Sequence, residues 1–586
     1  MRYRVVALSL IRRIEEGRTY VFLKIMHITL IAFNARFTHS CLGLFHVRNE
    51  LETHCPEARL GFFQLTINDS YYETILRITA TKPDFVFFSA YIWNSDLVGK
   101  LISDMKVCLP GCSYVVGGPQ AAVVACSLEE GGCTVVTGPI ETVGPGFYQD
   151  LRANRLQTRY KGSFGLMQTF ASPYRDSDFA GHLQNRHVYY ESSRGCPFSC
   201  TYCLSAAEKR IVHKDLTQVE AELEHILSHR PAVLRFVDRT FNDQPERALA
   251  IWRFLIGRET ETLFHFEISP DHFSEEMVTF LSQVPPGVFQ FEIGIQSTNP
   301  ETLKAVRRPM DTGSAHTIVA RLASLGNIHL HVDLILGLPY ETQETFLRSF
   351  VRVFTMGAHY IQMGLLKILP DTPLCHTAEE YGYQSCRLPP YSVIANRWID
   401  HETMSDLYWF CECVERFMNN RYFVTLWKYL RRTEEDSAGF FQDLLAVCRS
   451  KCFFSLAATQ ELMCRMLLRS TRERDDAGVI SDLLRFDWLR CGHRFLPECL
   501  RVQGENEQPS AIKKRLFLAL PESMVGVYDS GEKNQFCKKG LFAGFSEKSM
   551  IEFGFADQKG SGYLCFLPDR ETGLHGFNRV VRLCIY

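Results

Sequence analysis

Two series of short apolar segments, each alternating with amphipathic segments, constrain the fold of this chain more than any other feature. Continuous apolar runs indicate strands buried on both faces, and parallel strands need crossover helices between them. In the first series the strand candidates are His27–Phe33, Arg59–Leu65, Asp84–Tyr91, Ser113–Gly117 and Cys133–Thr137, with helix candidates at Ser70–Ala80 and Ser95–Val107. This series predicts a doubly wound, Rossmann-like domain over residues 26–150, with its ligand at the carboxyl ends of the strands.

The second series begins at His187, after a stretch without periodicity, residues 151–186, that is interpreted as a linker. Its strand candidates are His187–Ser192, Ala232–Val237, Leu263–Ile268, Val288–Ile293, Ile328–Leu334 and Tyr360–Leu365. The helix candidates are Thr217–Ser228, Pro245–Arg258, Glu275–Ser282, Thr312–Ser324 and Thr342–Thr355. Six strand–helix units in succession predict a partial (β/α)6 TIM barrel over residues 187–390, whose active site lies at the carboxyl ends of its strands.

The two ends of the chain differ from this α/β pattern. Residues 391–586 predict a mixed, mainly helical carboxyl-terminal domain, with helices at Trp409–Phe423 and Asp443–Cys452, strands at Phe517–Leu520, Leu541–Phe545 and Arg579–Ile585, and a polar loop at Arg501–Lys514. Residues 1–25 carry no chemical motif and are interpreted as an extension or a mis-assigned start, Met26 being the alternative first residue.

Composition narrows the classes of function. The 586 residues have a formal net charge of -2, which favours neither nucleic acid nor an anionic membrane as a partner. No apolar run reaches the ~18 residues that span a bilayer. The 21 cysteines lack the spacing of a disulfide framework, which is typical of reduced thiols. We therefore expect a cytoplasmic protein.

Three cysteines follow the first strand of the second series at C-x3-C-x2-C spacing: Cys196, Cys200 and Cys203. Three thiolates are one short of the four that close an iron–sulfur cube, so a four-iron cluster held here keeps one iron open to an exchangeable ligand. A structural zinc site needs four protein ligands, and the next cysteine is Cys375. Ordinary reduced thiols are the other alternative. The spacing favours a [4Fe-4S] cluster, and therefore an enzyme.

The stretch from Cys196 to Cys203, Cys-Pro-Phe-Ser-Cys-Thr-Tyr-Cys, resembles the motif of the radical S-adenosylmethionine (SAM) superfamily. The resemblance implies that the open iron of the cluster takes the amino and carboxylate groups of SAM. One-electron cleavage of SAM would give methionine and a 5′-deoxyadenosyl radical that abstracts hydrogen. An electron donor such as flavodoxin or ferredoxin is implied as a partner.

The same resemblance implies SAM-binding residues near the ends of successive strands. Arg308 is placed where the family has a basic residue that pairs with the SAM carboxylate, and guanidinium geometry suits that role. Structural roles remain open: Asp238 could form a local ion pair with Arg239, and Gly337 could be a turn glycine. Glu267 and Glu292 could be paired structural carboxylates. The implied SAM-binding residues are Tyr202, Asp238, Glu267, Glu292, Gln296, Ser297, Arg308, Asp333 and Gly337.

The first domain resembles the cobalamin-binding domain that precedes the radical domain in one large subgroup. The resemblance lies in Ser89–Asn94 and Val116–Gln120, whereas Thr137–Glu141 departs from the usual Gly-x-Gly-Glu turn. A nucleotide would also suit such a sheet edge, but Gly-Gly-Pro is not a pyrophosphate fingerprint. His39 lacks the D-x-H-x-x-G context of a cobalt ligand and is interpreted as a hydrogen-bonded loop residue. The implied cobalamin-binding residues are Ser89, Tyr91, Gly117, Gly118, Pro119 and Gly138.

The whole layout is similar to a subgroup with a DUF4080-type carboxyl-terminal domain, through Asn34–Ser40 and Ile328–Leu334. It predicts a cobalamin-dependent radical SAM enzyme, a C-methyltransferase that acts on a small molecule or a peptide. One alternative is a radical rearrangement, cyclisation or oxidation without methyl transfer. Another is a non-catalytic cobalamin or redox sensor. No residue is assigned a catalytic role beyond binding these cofactors.

Overall fold

The computed structural model describes residues 25–129, 131–166, 170–207, 210–501, 514, 540–554, 562–567 and 579–583. The extension predicted at residues 1–25 lies outside the described residues except for its last residue. The strand predicted at Phe517–Leu520 also lies outside them, as does the loop predicted at Arg501–Lys514 except for its two end residues.

The amino-terminal domain is built on a six-stranded parallel sheet of order β2-β1-β3-β4-β5-β6. The strands are β1 (His27–Asn34), β2 (Arg59–Thr66), β3 (Phe85–Ser89), β4 (Ser113–Gly117), β5 (Thr134–Thr137) and β6 (Arg159–Lys161). The helices are α1 (Leu42–His54), α2 (Tyr71–Thr79), α3 (Ser95–Cys108), α4 (Ala121–Cys126) and α5 (Pro145–Arg152). Side chains of β1 alternate between two buried cores, Ile31 in one and Leu30 in the other, so both faces of the sheet are covered as predicted.

The segment predicted to be a linker, residues 151–186, contains regular structure. It holds β6, which pairs in parallel with β5, and helix α6 (Asp176–Ala180). The guanidinium of Arg48, on α1, holds α6 through contacts of 2.5 and 2.8 Å with the carboxylate of Asp178. A three-residue strand and a five-residue helix are too short to produce a hydrophobic period, which explains why the sequence indicated neither.

The second domain contains six parallel strands in the order β14-β13-β12-β11-β10-β7. A short antiparallel pair, β8 with β9, brackets the cysteine loop. The strands are β7 (Val188–Tyr190), β8 (Ser193–Arg194), β9 (Val212–His213), β10 (Val233–Phe236), β11 (Leu263–Ile268), β12 (Phe289–Gln296), β13 (His329–Leu336) and β14 (Tyr360–Leu365). The helices are α7 (Leu216–Ser228), α8 (Pro245–Ile256), α9 (Glu275–Leu281), α10 (Pro300–Ala305), α11 (Thr312–Leu325) and α12 (Gln343–Thr355). Because β7 and β14 are the two edges, the sheet is an open arc, as predicted for a partial barrel.

Strand β12 shows how this sheet forms a site. Phe291 and Ile293 are fully buried against the outer helices, whereas Glu292 and Gly294, between and after them, face the inside of the arc. Successive side chains of a strand point to opposite faces, so a chain with polar residues at every second position gives the arc a polar interior.

The carboxyl-terminal region is mainly helical and ends in a small antiparallel sheet of order β17-β18-β19. Its elements are α13 (Pro373–His376), β15 (Gln384–Ser385), β16 (Val393–Ala395), α14 (His401–Phe417), α15 (Val424–Arg432), α16 (Ser437–Ser450), α17 (Gln460–Ser470), α18 (Ala477–Arg490), β17 (Leu541–Phe545), α19 (Glu547–Glu552), β18 (Gly562–Leu567) and β19 (Arg579–Leu583). The 3₁₀ turns of the described chain are Ile140–Thr142, Phe164–Leu166, Leu204–Ala207, Pro270–His272, Phe453–Ser455 and Glu498–Leu500.

The helix predicted at Trp409–Phe423 begins earlier, at His401, and ends six residues before its predicted end. Helix α14 ends at Phe417 and α15 begins at Val424, and the side chain of Asn420 accepts a hydrogen bond of 2.8 Å from the backbone N–H of Tyr422 between them. A local side-chain acceptor of this kind competes with helix continuation. Across the described part of the chain, no helix combines the length and the apolar character needed to cross a membrane.

Candidate active site

The three motif cysteines lie on the loop that follows β8, near the carboxyl end of β7, and their side chains line one cavity of about 180 Å³. None of the three is in a disulfide bond. Gly195 starts the loop with φ of 111°, and a Cβ atom there would lie 2.2 Å from the carbonyl oxygen of Arg210. Only glycine permits this close approach, so Gly195 folds the loop back and brings the thiols to the same space. This space is called the cysteine cavity below.

Six of the implied SAM-binding residues line the cysteine cavity together with the three cysteines. These are Tyr202, Glu267, Glu292, Gln296, Arg308 and Asp333. They come from the loop after β8 and from the interior face of β11, β12 and β13, and from the segment after α10. The structure therefore brings together residues that are up to 137 positions apart in the chain, from Cys196 to Asp333.

Arg308 is oriented before any ligand binds. Its Nη2 donates a hydrogen bond to the carbonyl oxygen of Gly294, and its guanidinium carbon lies 4.9 Å from the ring centre of Phe198. Its Nε is buried and has no hydrogen-bond partner. A buried donor without a partner is costly, so a carboxylate bound beside it would satisfy it.

The wall formed by β11 and β12 is acidic. Burial raises the pKa of Glu267 to about 7, although Arg239 acts in the opposite direction. Burial also opposes ionisation of Glu292, but the hydrogen bond from His265, 3.0 Å away, and nearby cations outweigh it and lower the pKa of Glu292 to about 2. A cavity with Arg308 on one side and carboxylates on another suits a ligand that carries both a carboxylate and cationic groups.

Asp238 does not line the cysteine cavity. It is 1% exposed, and it accepts hydrogen bonds from the backbone N–H of Ser192 at 3.0 Å and from the hydroxyls of Ser192 and Ser193 at 2.6 and 2.7 Å. These donors offset part of the cost of its burial, which still raises the pKa of Asp238. Asp238 therefore anchors the chain just before the cysteine loop.

Ser297 and Gly337 are also placed outside the cysteine cavity. The hydroxyl of Ser297 donates a 2.7 Å hydrogen bond to Oε1 of Glu341. Gly337 has φ of 96°, and its carbonyl oxygen accepts hydrogen bonds from Tyr383 at 2.9 Å and from Asn396 at 3.0 Å. Gly337 thus fits the turn-glycine alternative, and both residues support the end of the barrel strands.

A second, larger cavity of about 660 Å³ lies between the carboxyl ends of the first sheet and the mouth of the barrel. It is called the interdomain cavity below. Among the implied cobalamin-binding residues, its wall contains Ser89, Tyr91, Gly117, Gly118 and Gly138 but not Pro119. The barrel contributes Tyr189, Glu191, Arg194, Val237 and Arg239. The location agrees with the rule that open parallel sheets bind ligands at the carboxyl ends of their strands.

The glycines of this wall have different roles. A Cβ atom on Gly118 would lie 2.6 Å from the carbonyl oxygen of Ala90, and one on Gly138 would lie 2.3 Å from that of Gly162. These two glycines are required by backbone packing at positive φ. Gly117 has only an ordinary contact, so its missing side chain leaves room in the cavity. Beside it, the rings of Tyr91 and Trp93 stack at 4.5 Å with an angle of 4°.

His39 lines the interdomain cavity, and its Nδ1 is hydrogen-bonded to the hydroxyl of Tyr189. Burial lowers its pKa, so the imidazole is neutral near pH 7. This geometry agrees with the interpretation of His39 as a hydrogen-bonded loop residue.

The wall residues that were not predicted from the sequence include four ionisable side chains. Glu191 and Arg194 flank the start of the cysteine loop, and Arg194 reaches Glu141 of the first domain. Arg239 lines both the cysteine cavity and the interdomain cavity. The only sequence feature that pointed to Glu191, Arg194 and Arg239 was their position at the carboxyl ends of barrel strands, where the active sites of barrel enzymes form. The fourth, His46, comes from α1 and gave no signal in the sequence.

Comparison with protein families agrees with this architecture. Residues 190–352 match the model of the Radical SAM superfamily, and residues 379–550 match a family described as a protein of unknown function, DUF4080. The chain contains a radical SAM domain followed by a DUF4080 domain. The resemblances to the radical SAM superfamily and to the DUF4080 subgroup are confirmed.

Curated relatives of this chain are distant. The cobalamin-dependent radical SAM methyltransferase TokK of Streptomyces tokunonensis is 24% identical over 366 residues, which cover 54% of this chain and 51% of TokK. The 2-(S-pantetheinyl)-carbapenam-3-carboxylate methyltransferase of Streptantibioticus cattleyicolor is 24% identical, with coverage of 52% and 50%. The chain therefore spans about half the length of these curated relatives.

Solved structures confirm the fold class. The cobalamin-dependent SAM radical enzyme OxsB, solved with aqua-cobalamin and SAM bound, superposes with a TM-score of 0.57 and 13% identity over 86% of this chain and 87% of OxsB. The radical SAM methyltransferase TsrM of Kitasatospora setae, solved with a tryptophan substrate and a SAM analogue, gives a TM-score of 0.52 and 18% identity over 62% of this chain and 79% of TsrM. At such identities the likeness concerns the fold.

Proposed function

We propose that this radical SAM protein is a cobalamin-dependent C-methyltransferase. The observation that carries the proposal is the meeting of two cavities at one residue: the cysteine cavity and the interdomain cavity share Arg239 as a wall. A cluster with SAM would supply hydrogen abstraction and cobalamin would supply the methyl group, and that chemistry requires the two cofactors to face one space. The methyltransferase names of the curated relatives support the same function.

The protein's own residues would bind, orient and shield these groups. Cys196, Cys200 and Cys203 would hold the [4Fe-4S] cluster, and Arg308 would hold the SAM carboxylate against its buried Nε. Glu267 and Glu292 would face the cationic part of SAM. Cobalamin would occupy the interdomain cavity, where a surface of glycine backbone and stacked aromatic rings accepts a bulky apolar ring system.

The open edge of the barrel would give a substrate a route to this site. A further cavity of about 330 Å³ lies beside β14 and is also lined by α14 of the DUF4080 region, through Tyr408, Glu412 and Glu415. We therefore place the entry of a small-molecule or peptide substrate at this flank. We also propose that the protein works in the cytoplasm, with a flavodoxin or ferredoxin as the electron donor.

One experiment separates the candidate functions. The protein is purified without oxygen, reconstituted with iron, sulfide and cobalamin, and reduced with dithionite in the presence of SAM carrying a deuterated methyl group and a cell extract of metabolites and peptides as the source of substrate. Formation of 5′-deoxyadenosine and transfer of the labelled methyl group to carbon of a metabolite or peptide, both detected by mass spectrometry, are expected. Cleavage of SAM without label transfer would favour rearrangement, cyclisation or oxidation. An absence of cleavage would favour a sensor.

A further inference from the structure

Outside both cavities, three side chains with metal-ligating atoms converge at the junction of the two domains. Asp176 opens α6, and His225 and His229 lie on the last turn of α7 and just after it. Oδ1 of Asp176 lies 2.8 Å from Nε2 of His225 and 3.2 Å from Nε2 of His229. One ligand atom from each residue lies within 4.8 Å of the other two. We propose that these three residues form a zinc-binding site.

The helix spacing and the aromatic packing prepare this arrangement. Residues four apart are neighbours on a helical surface, so His225 and His229 point the same way. The ring of Phe179, on α6, stacks on His229 at 4.1 Å with an angle of 6°, and meets His225 edge to face at 5.8 Å with an angle of 89°. One apolar side chain thus fixes the orientation of both imidazoles while their Nε2 atoms remain directed at Asp176.

The donor set selects the class of metal. Two imidazole nitrogens and one carboxylate oxygen match the ligands of Zn²⁺, which bind at about 2.0–2.2 Å in tetrahedral geometry. Three protein ligands leave the fourth position to water. The side chains of Asp176, His225 and His229 are 84, 37 and 25% exposed, so an ion can reach the site from solvent.

The site would connect the two domains. Helix α6 is joined to α1 of the first domain by the buried pair of Arg48 with Asp178 and by the pair of Arg175 with Glu52. The side chains of His225 and His229 belong to the barrel. A zinc ion bound to Asp176 would therefore clasp α6 to the barrel, next to the seam that encloses the interdomain cavity.

The first test measures binding of zinc itself to the cluster-loaded protein. Equilibrium dialysis at pH 7.5 compares the unmodified chain with H225Q/H229Q and with D176N, and His316→Gln, on the outer helix α11, is the matched control. We expect the unmodified chain and the control each to bind one zinc equivalent more than H225Q/H229Q does. The reason is that the double variant should bind zinc at this site at least 100-fold more weakly. Equal zinc binding in all four proteins would overturn the proposal.

The second test identifies the ligands and the effect on stability. Co²⁺ added to the chain should give visible d–d absorption without the thiolate-to-cobalt charge-transfer band that cysteine ligands would produce, and D176N should weaken it. Zinc should raise the Tm of the chain and of the control, but not that of H225Q/H229Q. A thiolate band, or an equal rise of Tm in the double variant, would show that zinc binds elsewhere and that the three residues form a hydrogen-bonded cluster only. Neither readout depends on SAM cleavage or methyl transfer, so this site and the proposed function stand or fall separately.

Discussion

Arg194 of the barrel and Glu141 of the first domain form a 3.1 Å ion pair at the wall of the interdomain cavity. Arg194 also pairs with Glu191, and His46 lies 3.2 Å from Glu141 and 3.5 Å from Glu191. Burial opposes ionisation of Glu191, but His46 and Arg194 outweigh it and lower its pKa to about 2. This network fixes the separation of the two walls between which cobalamin would bind.

Replacing Arg194 with Met should therefore weaken both folding and cobalamin binding. The change leaves two partly buried carboxylates, 17 and 16% exposed, with only His46 beside them among the described residues. Removing one partner of a fully buried pair costs about 3–5 kcal/mol, which is the upper bound of the expected loss here. Urea unfolding and a cobalamin titration measure the two effects. Arg155→Met is the control, because Arg155 is 76% exposed and lies 3.8 Å from Asp150. If cobalamin affinity were unchanged in the Arg194 variant, the network would have no part in the site.

Alanine at Cys196, Cys200 or Cys203 should each abolish the iron–sulfur cluster, because removal of one thiolate leaves two ligands for the four irons. The reconstituted protein should bind about four irons per chain, and each variant should lose the iron–sulfur absorption and the cleavage of SAM. Cys108→Ala, at an exposed cysteine on α3, should retain both. Cleavage of SAM by any of the three variants would contradict the assignment of the cysteine cavity.

Arg308→Lys should weaken SAM binding by about 10–100-fold, since hydrogen bonds to charged groups contribute about 1.5–3 kcal/mol. Lysine keeps the charge but lacks the Nε donor and the planar group that packs on Phe198. Isothermal titration of the cluster-loaded protein with SAM measures the affinity. Arg307→Lys changes the exposed neighbour in the same way and should bind SAM normally. Equal affinity for SAM in the two variants would show that Arg308 does not bind the SAM carboxylate.

Stability should depend on pH through Glu341. Burial raises its pKa to about 8, although the hydrogen bond from Ser297 acts in the opposite direction. Because the folded pKa lies above the unfolded value, the contribution of the protonated group is full below about pH 4 and is lost as pH rises through 8. Glu341→Gln should remove this loss and stabilise the protein relative to the unmodified chain by about 2–4 kcal/mol at pH 9.

Chemical unfolding at pH 5, 7 and 9 tests this expectation. Glu344→Gln, on the surface of α12, is the control and should leave the pH profile unchanged, since Glu344 is 82% exposed. A profile of Glu341→Gln parallel to that of the unmodified chain would show that Glu341 does not titrate in this range.

The apolar strands of both parallel sheets could be predicted because burial on both faces leaves a continuous signal in the sequence. Strand β6 could not, since its three residues pair only at the edge of the sheet. At the site, the sequence does not tell which of two adjacent side chains faces the cavity. Gln296 lines the cysteine cavity, whereas Ser297, the next residue, points to Glu341.

Asp238 and Arg239 show the same alternation. Motif similarity selects a segment, and it selected Asp238, whose carboxylate faces the serine hydroxyls behind the cysteine loop. The neighbouring Arg239 faces both cavities. Which of two adjacent residues points inward depends on where the strand ends and the loop begins, and this boundary is the part of the fold that a sequence pattern locates least well.

A guanidinium shared by two chambers has a thermodynamic consequence. An occupant that draws the positive charge of Arg239 toward one chamber alters the electrostatic potential in the other, so the affinities of the two occupants are linked, and by reciprocity each must change the other by the same factor. The order in which the two occupants bind would then depend on charge as well as on access.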